Sequence, residues 1–512
     1  MSKAKALMFL GTGSDVGKSV LAAAFCRIFR QEGYKVAPFK AQNMALNSYI
    51  TPEGGEMGRA QVVQAEAAGI DPHVDMNPIL LKPTSQMGSQ VIVLGKAIGN
   101  FSAKEYYDYK KELVSVVRES YGRLDSQNDI VVMEGAGSAV ELNLKRHDLV
   151  NMAMAEMADA RCILVGDIDR GGIFAALLGS FSLLEPSEQA RICGFIVNKL
   201  RGDPRLFADG TGILESRSGR PVLGVVPWFN HIALPEEDSV ALGRRMGKDG
   251  SPDREMVAVG VVRLPFISNY TDFDCFEQDP RVRLVYFDKP AQVFDFDAVM
   301  LPGSKNTIED LAALDKSGMA DAVRAYYKTG GTVVGVCGGY QMLGKVVRDP
   351  YGVESALSEI PGLGILEMET EMYPEKITSQ VEAVLADGAQ DSTGGGEPLR
   401  GYEIHMGRST SLGSAVALFR IMRRDGRPAD ILDGLVQPGG RGWGTYIHGI
   451  FDNDGFRDRF LREVAERAGK KLPGAPGSAS YRRLKEEQYD LLAEFVRRHV
   501  DVGRVLKAMD IG

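Results

Sequence analysis

Residues 333–341 read VVGVCGGYQ, and this stretch predicts both a fold class and a chemistry. A β-branched apolar run typical of a buried strand ends in Gly-x-Cys-x-Gly, and residues that suit a helix follow it. Glycines two positions before and after Cys337 allow the sharp strand-to-helix turn that presents a nucleophile at its corner. A helix N-terminus also favours the reactive thiolate. We therefore interpret Cys337 as a catalytic thiol in an α/β domain, in preference to a buried structural cysteine.

The composition indicates a globular chain with more than one domain. A chain of 512 residues is too long for one domain with a single ordinary hydrophobic core. The net charge of −8 comes without any basic block, which gives no indication of a nucleic acid or a membrane surface as a partner. No stretch approaches the roughly 18 apolar residues of a membrane helix, and the short N-terminal apolar run predicts a first strand and no signal peptide.

The five cysteines form no C-x-x-C pair. An odd number of cysteines without metal-ligand spacing predicts reduced thiols, and we expect a cytoplasmic location.

The pattern of apolar runs predicts two α/β domains. Residues 1–235 alternate short apolar strands with amphipathic helices, such as one over residues 104–124, and predict a parallel sheet covered on both faces. Its strands are expected at Ala6–Leu10, Val36–Lys40, Ile130–Met133, Cys162–Val165, Gly194–Val197 and Val222–Val226.

Residues 236–256 are polar and charged and predict a linker. A second α/β domain follows over residues 257–453, and residues 454–512 predict a helical C-terminal extension without chemistry of its own. A surface loop is expected at residues 394–396. The predicted strands of the second domain are Val257–Val262, Arg283–Phe287, Ala298–Leu301 and Thr332–Val336.

A glycine-rich loop after the first strand predicts a phosphate site. Residues 11–19 read GTGSDVGKS and open a helix. Small residues let backbone N–H groups cradle phosphate oxygens, a lysine binds the β and γ phosphates, and a Ser hydroxyl binds Mg²⁺. The loop is one residue longer than the standard pattern. The predicted nucleotide-binding residues are Gly11, Thr12, Gly13, Gly17, Lys18 and Ser19.

Polar residues at the ends of three later strands extend this site. Glu134 ends a buried strand and is predicted to bind Mg²⁺ together with Ser19. Asn198 is predicted to hydrogen-bond the nucleotide base. Asp167 and Asp169 close a further strand, where they could serve a metal, a substrate or the start of a loop.

A histidine downstream of the cysteine completes a second predicted site. His448 lies on a β-rich run that ends in glycine, and a Cys elbow with a later His in one α/β domain is typical of a nucleophile–base pair. The backbone N–H groups of Gly303 and Gly338 are predicted to form an oxyanion hole. His405 shares a strand face with Glu403, and we expect it to bind substrate or to have a structural role.

With these residues in place, the sequence resembles the cobyric acid synthase family, the glutamine-dependent amidases of cobalamin biosynthesis, over nearly its whole length. The N-terminal half is similar to the dethiobiotin-synthetase type of P-loop fold, and the C-terminal half resembles a class I glutamine amidotransferase. The resemblance implies two doubly wound α/β domains followed by a helical tail. It implies Cys337 as nucleophile, His448 as base, and ATP with Mg²⁺ but no tightly bound cofactor.

The resemblance also assigns residues to the corrinoid side of the site. Residues 40–48 read KAQNMALNS, a run particular to this family. The implied substrate residues are Lys40, Gln42, Asn43, Asn47, Ser48 and Asp169. Class I glutaminases usually have a Glu two residues after the His, but Ile450 stands there. The resemblance therefore implies that something else orients His448, such as a backbone carbonyl or a water.

The implied reaction is the ATP- and glutamine-dependent amidation of the b, d, e and g carboxylates of adenosylcobyrinic acid a,c-diamide. The partners are then these small molecules, with no nucleic acid and no membrane. One alternative is cobyrinic acid a,c-diamide synthase, which is built from the same two domains, although residues 40–48 and the chain length argue against it. Others are a partition-type P-loop ATPase switch, which leaves Cys337 and His448 unexplained, and a C-terminal domain that only binds and regulates.

Overall fold

The computed structural model describes residues 3–83, 88–229, 232–235, 255–387, 398–474 and 480–511. The chain forms two compact units. The first comprises Met1–Met44, Met57–Leu234 and Lys485–Gly512, and the second comprises Ala45–Glu56 and Pro235–Leu484. These bounds differ from the sequence-based domains, because residues 45–56 join the second unit and residues 485–512 join the first. The predicted loop at residues 394–396 and most of the predicted linker lie outside the described residues.

A parallel sheet forms the centre of the first unit. Its six strands, within the described part of that unit, run in the order Val222–Pro227, Ile192–Leu200, Arg161–Asp167, Lys5–Gly11, Ile130–Glu134 and Val36–Phe39. The sequence predicts all six, because strands buried on both faces are nearly continuous apolar runs. The order reverses direction beside Lys5–Gly11, and at such a switch point the loops that follow the strands open a crevice for ligands.

The helix predicted over residues 104–124 is instead two helices, Ala103–Tyr109 and Leu113–Gln127. Only Tyr106 is buried in the first of them, whereas the second buries an apolar stripe of its own. The break at residues 110–112 lets each helix turn a different face inward. The other described α-helices that lie wholly or mainly in this unit are Lys18–Gln31, Arg59–Ala68, Met152–Met157, Ile173–Leu183, Pro186–Gln189, Ala208–Ser218, Tyr481–His499 and Val502–Ala508.

The first unit also contains a small sheet that the sequence did not predict. Its strands are Gln42–Met44, Ile79–Pro83, Gly88–Val93 and Lys96–Ser102. Gln42–Met44 pairs in parallel with Ile79–Pro83 at the edge of this sheet. Residues 42–44 of the run 40–48 therefore form an edge strand.

The C-terminal helix Tyr481–His499 explains why the end of the chain belongs to the first unit. Leu492 and Val496 are buried in the apolar core of that unit. Arg27 of the first helix forms ion pairs with Glu486 at 2.9 Å and with Asp490 at 2.7 Å. Apolar burial and these ion pairs together hold the helix against the core of the first unit.

The second unit has a mixed sheet. Its parallel part runs in the order Val282–Phe287, Val257–Val262, Ala298–Leu301, Thr332–Val336 and Gly442–Thr445, and it contains all four predicted strands. A largely antiparallel part extends this sheet, and the sequence indicated strand-like runs there only around His405 and His448. Its strands are Arg427–Val436, Val416–Arg424, Met368–Leu385, Leu399–Ser411, Val346–Arg348, Glu359–Pro361 and Ile447–His448.

Short elements bring the polar residues of the second unit together around the end of the strand Thr332–Val336. A separate two-stranded antiparallel sheet pairs Ile267–Ser268 with Gly303–Ser304. Single helical turns span Tyr270–Phe273, Pro290–Asp295 and Ile450–Asp452. The α-helices are Asp274–Glu277, Thr307–Ser317, Met319–Lys328, Gly338–Met342 and Asp454–Arg467.

The segment Ala45–Glu56 packs within the second unit although it lies early in the chain. Its strand Ser48–Ile50 places Ile50 in an apolar cluster with Tyr402 and Ile404. The Tyr402 hydroxyl donates a hydrogen bond to the carbonyl oxygen of Ser48 at 3.3 Å. These contacts are the physical reason that the segment departs from the first domain. Within the described ranges, no helix is both long and apolar enough to cross a membrane.

Candidate functional site

The glycine-rich loop of the first unit lies between the strand that ends at Gly11 and the helix that begins at Lys18. Gly17 has a positive φ of 99°, and a Cβ atom at that position would lie 2.1 Å from Nδ2 of Asn198. The same Asn198 amide donates to the Val16 carbonyl oxygen at 2.8 Å. Asn198 therefore reaches the loop from another strand and fixes its turn. Its contact with a nucleotide base stays a prediction.

Lys18 points back into the loop. Its ammonium donates hydrogen bonds to the carbonyl oxygens of Gly13 at 2.9 Å and Gly137 at 3.1 Å. Thr12 forms a bridge with Ser138, so the loop after a second strand closes over the first. Phosphate oxygens are acceptors of the same kind as these carbonyls, and Lys18 is therefore placed to bind them.

Glu134 lies at the centre of a buried polar cluster and is 2% exposed. Its Oε1 atom accepts hydrogen bonds from Ser19 Oγ and Lys40 Nζ, both at 2.8 Å, and its Oε2 atom accepts one from Gln64 at 2.7 Å. Burial alone would raise the pKa of Glu134, but the Lys40 ammonium outweighs burial and keeps the pKa below its ordinary value. A carboxylate beside a serine hydroxyl is the donor set that Mg²⁺ prefers, so these two residues fit the predicted metal.

The acids after the strand Arg161–Asp167 already have cationic partners. Asp167 forms ion pairs with Lys199 at 3.0 Å and with Arg170 at 3.5 Å. Asp169 accepts two hydrogen bonds from Arg201, at 2.5 and 3.2 Å. Of the roles that the sequence leaves open, these contacts favour fixing the loop. Among the residues that the structure describes, no group of three or more His, Cys, Asp or Glu side chains could hold a metal ion.

The family-specific run is divided between the two units. Lys40, Gln42 and Asn43 belong to the first, whereas Asn47 and Ser48 belong to the second. In the first unit a cavity of about 180 Å³ opens beside the loop that follows Glu134. Side chains of both charges line this cavity, and they include Gln42, Tyr107, Lys110, Ser138, Glu141, Lys145, His147 and Asp148.

In the second unit, Cys337 occupies the predicted elbow between the strand Thr332–Val336 and the helix Gly338–Met342. Its φ of 51° and ψ of −108° are strained for a residue with a side chain. A Cβ atom at Gly339 would lie 1.9 Å from the Leu301 carbonyl oxygen, so only glycine fits behind the nucleophile. Cys337 Sγ lies 3.4 Å from the carbonyl oxygen of Ile404.

His448 lies on the short strand Ile447–His448 and is 1% exposed. Its Nδ1 atom is 2.7 Å from Oδ2 of Asp272, and its Nε2 atom is 3.4 Å from Nδ2 of Asn269. Burial alone would lower the pKa of His448, but the charges of Asp272 and Cys337, with hydrogen bonds to both, raise it to about 10. The structure therefore brings thiol and imidazole together as a pair in which the imidazolium form of His448 is favoured.

Sequence reasoning missed Asp272. The carbonyl or water expected beside His448 is replaced by this carboxylate, and Ile450 is an apolar core residue. Asp272 and His448 are 176 positions apart, so no local motif joins them. Residues 268–274 read SNYTDFD and are buried, but nothing in this run pairs it with His448 in the sequence.

The two predicted oxyanion glycines lie beside this pair. A Cβ atom at Gly303 would lie 3.3 Å from Cε1 of His448, and one at Gly338 would lie 2.8 Å from the backbone nitrogen of Ser304. Both backbones therefore approach the elbow closely. Their N–H contacts with a developing oxyanion stay a prediction.

His405 belongs to a separate buried network. Its Nδ1 atom is 2.8 Å from the Gly407 carbonyl oxygen, and its ring stacks on Tyr446 with 3.8 Å between ring centres. Glu403 lies 3.5 Å from its Nε2 atom and also accepts a hydrogen bond from Arg424 at 2.6 Å. These contacts favour the structural role among the two that the sequence allows.

Comparisons with known proteins cover both units. Residues 7–240 match the CobQ/CobB/MinD/ParA nucleotide binding domain, and residues 258–456 match the CobB/CobQ-like glutamine amidotransferase domain. The cobyric acid synthase of Syntrophobacter fumaroxidans is 70% identical over 514 residues, which cover 100% of both chains. That of Moorella thermoacetica is 48% identical and covers 99% of this chain and 98% of its own. That of Sorangium cellulosum is 49% identical and covers 97% and 96%.

Proposed function

Because the chain belongs to the cobyric acid synthase family, we propose that it amidates the b, d, e and g carboxylates of adenosylcobyrinic acid a,c-diamide, with ATP and glutamine as co-substrates. The observation that carries this proposal is the buried Cys337–His448 pair in a chain that also contains a phosphate loop. A thiol–imidazole pair releases ammonia from glutamine, and a phosphate loop positions ATP.

The second unit supplies the ammonia. The Cys337 thiolate attacks the side-chain amide carbon of glutamine, and the negative charge that forms on the oxygen is stabilised by the N–H groups of Gly303 and Gly338. His448 gives its proton to the departing nitrogen, which leaves as ammonia. Water then attacks the thioester, and glutamate leaves as the thiolate is restored.

The first unit activates the carboxylate. A carboxylate is a poor electrophile, so its oxygen first takes the γ-phosphoryl group of ATP, and ADP leaves. Ammonia attacks the resulting acyl phosphate at its carbonyl carbon, and phosphate leaves with the C–O electron pair. Lys18 holds the phosphates during this transfer. Mg²⁺ held by Ser19 and Glu134 would neutralise phosphate charge.

The alternatives explain less of the chain. The relatives that match this chain over nearly its full length are cobyric acid synthases, and this does not favour the interpretation as an a,c-diamide synthase. A partition-type ATPase leaves the Cys337–His448 pair without a role, and so does a C-terminal domain that only regulates.

All five cysteines are free thiols, which supports our inference of a reducing, cytoplasmic compartment.

One assay tests the proposal directly. The protein is incubated with ATP, Mg²⁺, glutamine and, in separate reactions, either the adenosylated a,c-diamide or cobyrinic acid, and the corrinoid products are followed by mass spectrometry. We expect four successive conversions of a carboxylate to an amide on the a,c-diamide. Conversion of cobyrinic acid to its a,c-diamide instead would support the alternative synthase, and no conversion of either corrinoid would refute the proposal.

A further inference from the structure

A catalytic imidazole needs a partner that fixes its orientation and tautomer. In a nucleophile–histidine pair, a third group usually accepts the N–H on the ring nitrogen that faces away from the nucleophile. Ile450 cannot do so, because its side chain has no acceptor and it is packed in the apolar core. The orientation of His448 must therefore come from another part of the chain.

Asp272 binds both the ring and the backbone next to it. Its Oδ2 atom is 2.7 Å from Nδ1 of His448, and its Oδ1 atom accepts the Gly449 N–H at 2.8 Å. One carboxylate thus fixes both the orientation of the His448 ring and the backbone at Gly449 next to it. Asp272 is itself only 2% exposed, so water competes little for these oxygens.

We propose that Asp272 is the positioning residue of the glutaminase. It takes the role of the Glu that class I glutaminases usually have at the position of Ile450. It holds His448 as the tautomer protonated on Nδ1 and leaves Nε2 to exchange a proton with Cys337 and the departing ammonia. This inference rests on the proposed function, since it assumes that Cys337 and His448 hydrolyse glutamine.

The local backbone around Asp272 determines where its carboxylate lies. It lies in the helical turn Tyr270–Phe273, just after the strand Ile267–Ser268 of the two-stranded sheet. Its backbone N–H donates to the Asn269 carbonyl oxygen at 3.1 Å, which closes the turn. Ser268, which pairs with Gly303, and Asp272, whose carboxylate contacts His448, therefore belong to one short segment of the chain.

Two neutral side chains complete the surroundings of the ring. Tyr402 stacks on His448 with ring centres 5.1 Å apart, and Asn269 approaches Nε2. The charged groups that act on the pKa of the ring are Asp272 and Cys337. Removing the carboxylate should therefore favour the neutral imidazole, which stabilises a neighbouring negative charge less than the imidazolium does.

The test compares Asp272→Asn with wild type in three measurements. Glutamine hydrolysis should fall by about a hundredfold or more, mainly in kcat, because the amide presents the wrong hydrogen-bonding group to Nδ1. Amidation with high free ammonia should be unchanged. Alkylation of Cys337 by iodoacetamide, measured at that cysteine by peptide mass spectrometry, should reach half of its maximal rate at a higher pH than in wild type.

Asp274→Asn is the matched control. Asp274 lies two residues further on and is 3% exposed, so its substitution removes a similarly buried carboxyl without changing the group bonded to His448. It should leave the alkylation profile unchanged. A loss of less than about tenfold in Asp272→Asn, or an unshifted alkylation profile, would overturn the inference. Wild-type protein without glutaminase activity would instead refute the proposed function.

Discussion

At the scale of single residues, the proposed chemistry depends on two buried pairs, one in each unit. In that proposal Cys337 and His448 act on glutamine, whereas Lys18 holds phosphate beside the ion pair formed by Lys40 and Glu134. Ammonia is the only product of the first reaction that the second requires. Substitutions in the two units should therefore separate the two half-reactions.

The first prediction concerns this separation. Cys337→Ser should lose glutamine-dependent amidation and keep amidation with high free ammonia, because the thiol only generates ammonia. Lys18→Ala should lose amidation with either nitrogen source, because acyl phosphate formation needs the bound phosphates. Both activities are measured as the mass gain of the corrinoid.

Cys193→Ser and Lys35→Ala are suitable controls, since each changes the same residue type away from both sites and should keep both activities. Loss of ammonia-dependent amidation in folded Cys337→Ser would contradict the division of labour. Ammonia-dependent amidation in Lys18→Ala would contradict the phosphate-loop assignment.

The second prediction concerns pH. The pKa of His448 is raised from its ordinary value of 6.5 to about 10, so protonation stabilises the folded state. That contribution is complete below pH 6.5 and is lost as the pH rises toward 10. The difference in urea midpoint between wild type and His448→Gln should therefore shrink between these values. A difference that does not change with pH would contradict the raised pKa.

At the scale of elements, the strand–elbow–helix around Cys337 tolerates no added volume. Gly339→Ala would place a methyl group against the Leu301 backbone, which should destabilise the second unit by about 3 kcal/mol or more. Gly122→Ala is the matched control, because nothing lies within 4 Å of its added Cβ atom. That change, inside a helix, should stabilise by about 0.5–1 kcal/mol. Thermal unfolding measures both, and equal effects would contradict the packing described for the elbow.

The elements also show what a sequence can predict. Ile130–Glu134 and Thr332–Val336 are nearly pure apolar runs, and such a pattern indicates a strand buried on both faces. Met368–Leu385 was missed because the polar residues Thr370 and Ser379 occupy buried positions, and because the exposed Pro374 and Glu375 interrupt its alternation. The elbow could be predicted from adjacent residues, whereas Asp272 could not, because only the fold brings it to His448.

At the scale of the whole molecule, the C-terminal helix supports the nucleotide-binding unit. Leu492 is fully buried in the core of that unit, whereas the adjacent Leu491 is 42% exposed. Leu492→Ala should cost about 2–5 kcal/mol, and Leu491→Ala about 0.5 kcal/mol or less. Urea unfolding can follow the first unit through Trp228 in a Trp443→Phe background, because these are the two tryptophans of the chain. Equal costs would contradict the docking of this helix.

The placement of Ala45–Glu56 also limits how the protein can be divided. The chain passes between its units after Met44, after Glu56, after Leu234 and after Leu484. A cut at the polar stretch after residue 235 would therefore give an N-terminal fragment that keeps a strand of the glutaminase and lacks the helix that completes its own core. Such halves cannot be exchanged with those of relatives as cassettes. A recombinant hybrid would have to transfer both outlying segments with the units to which they belong.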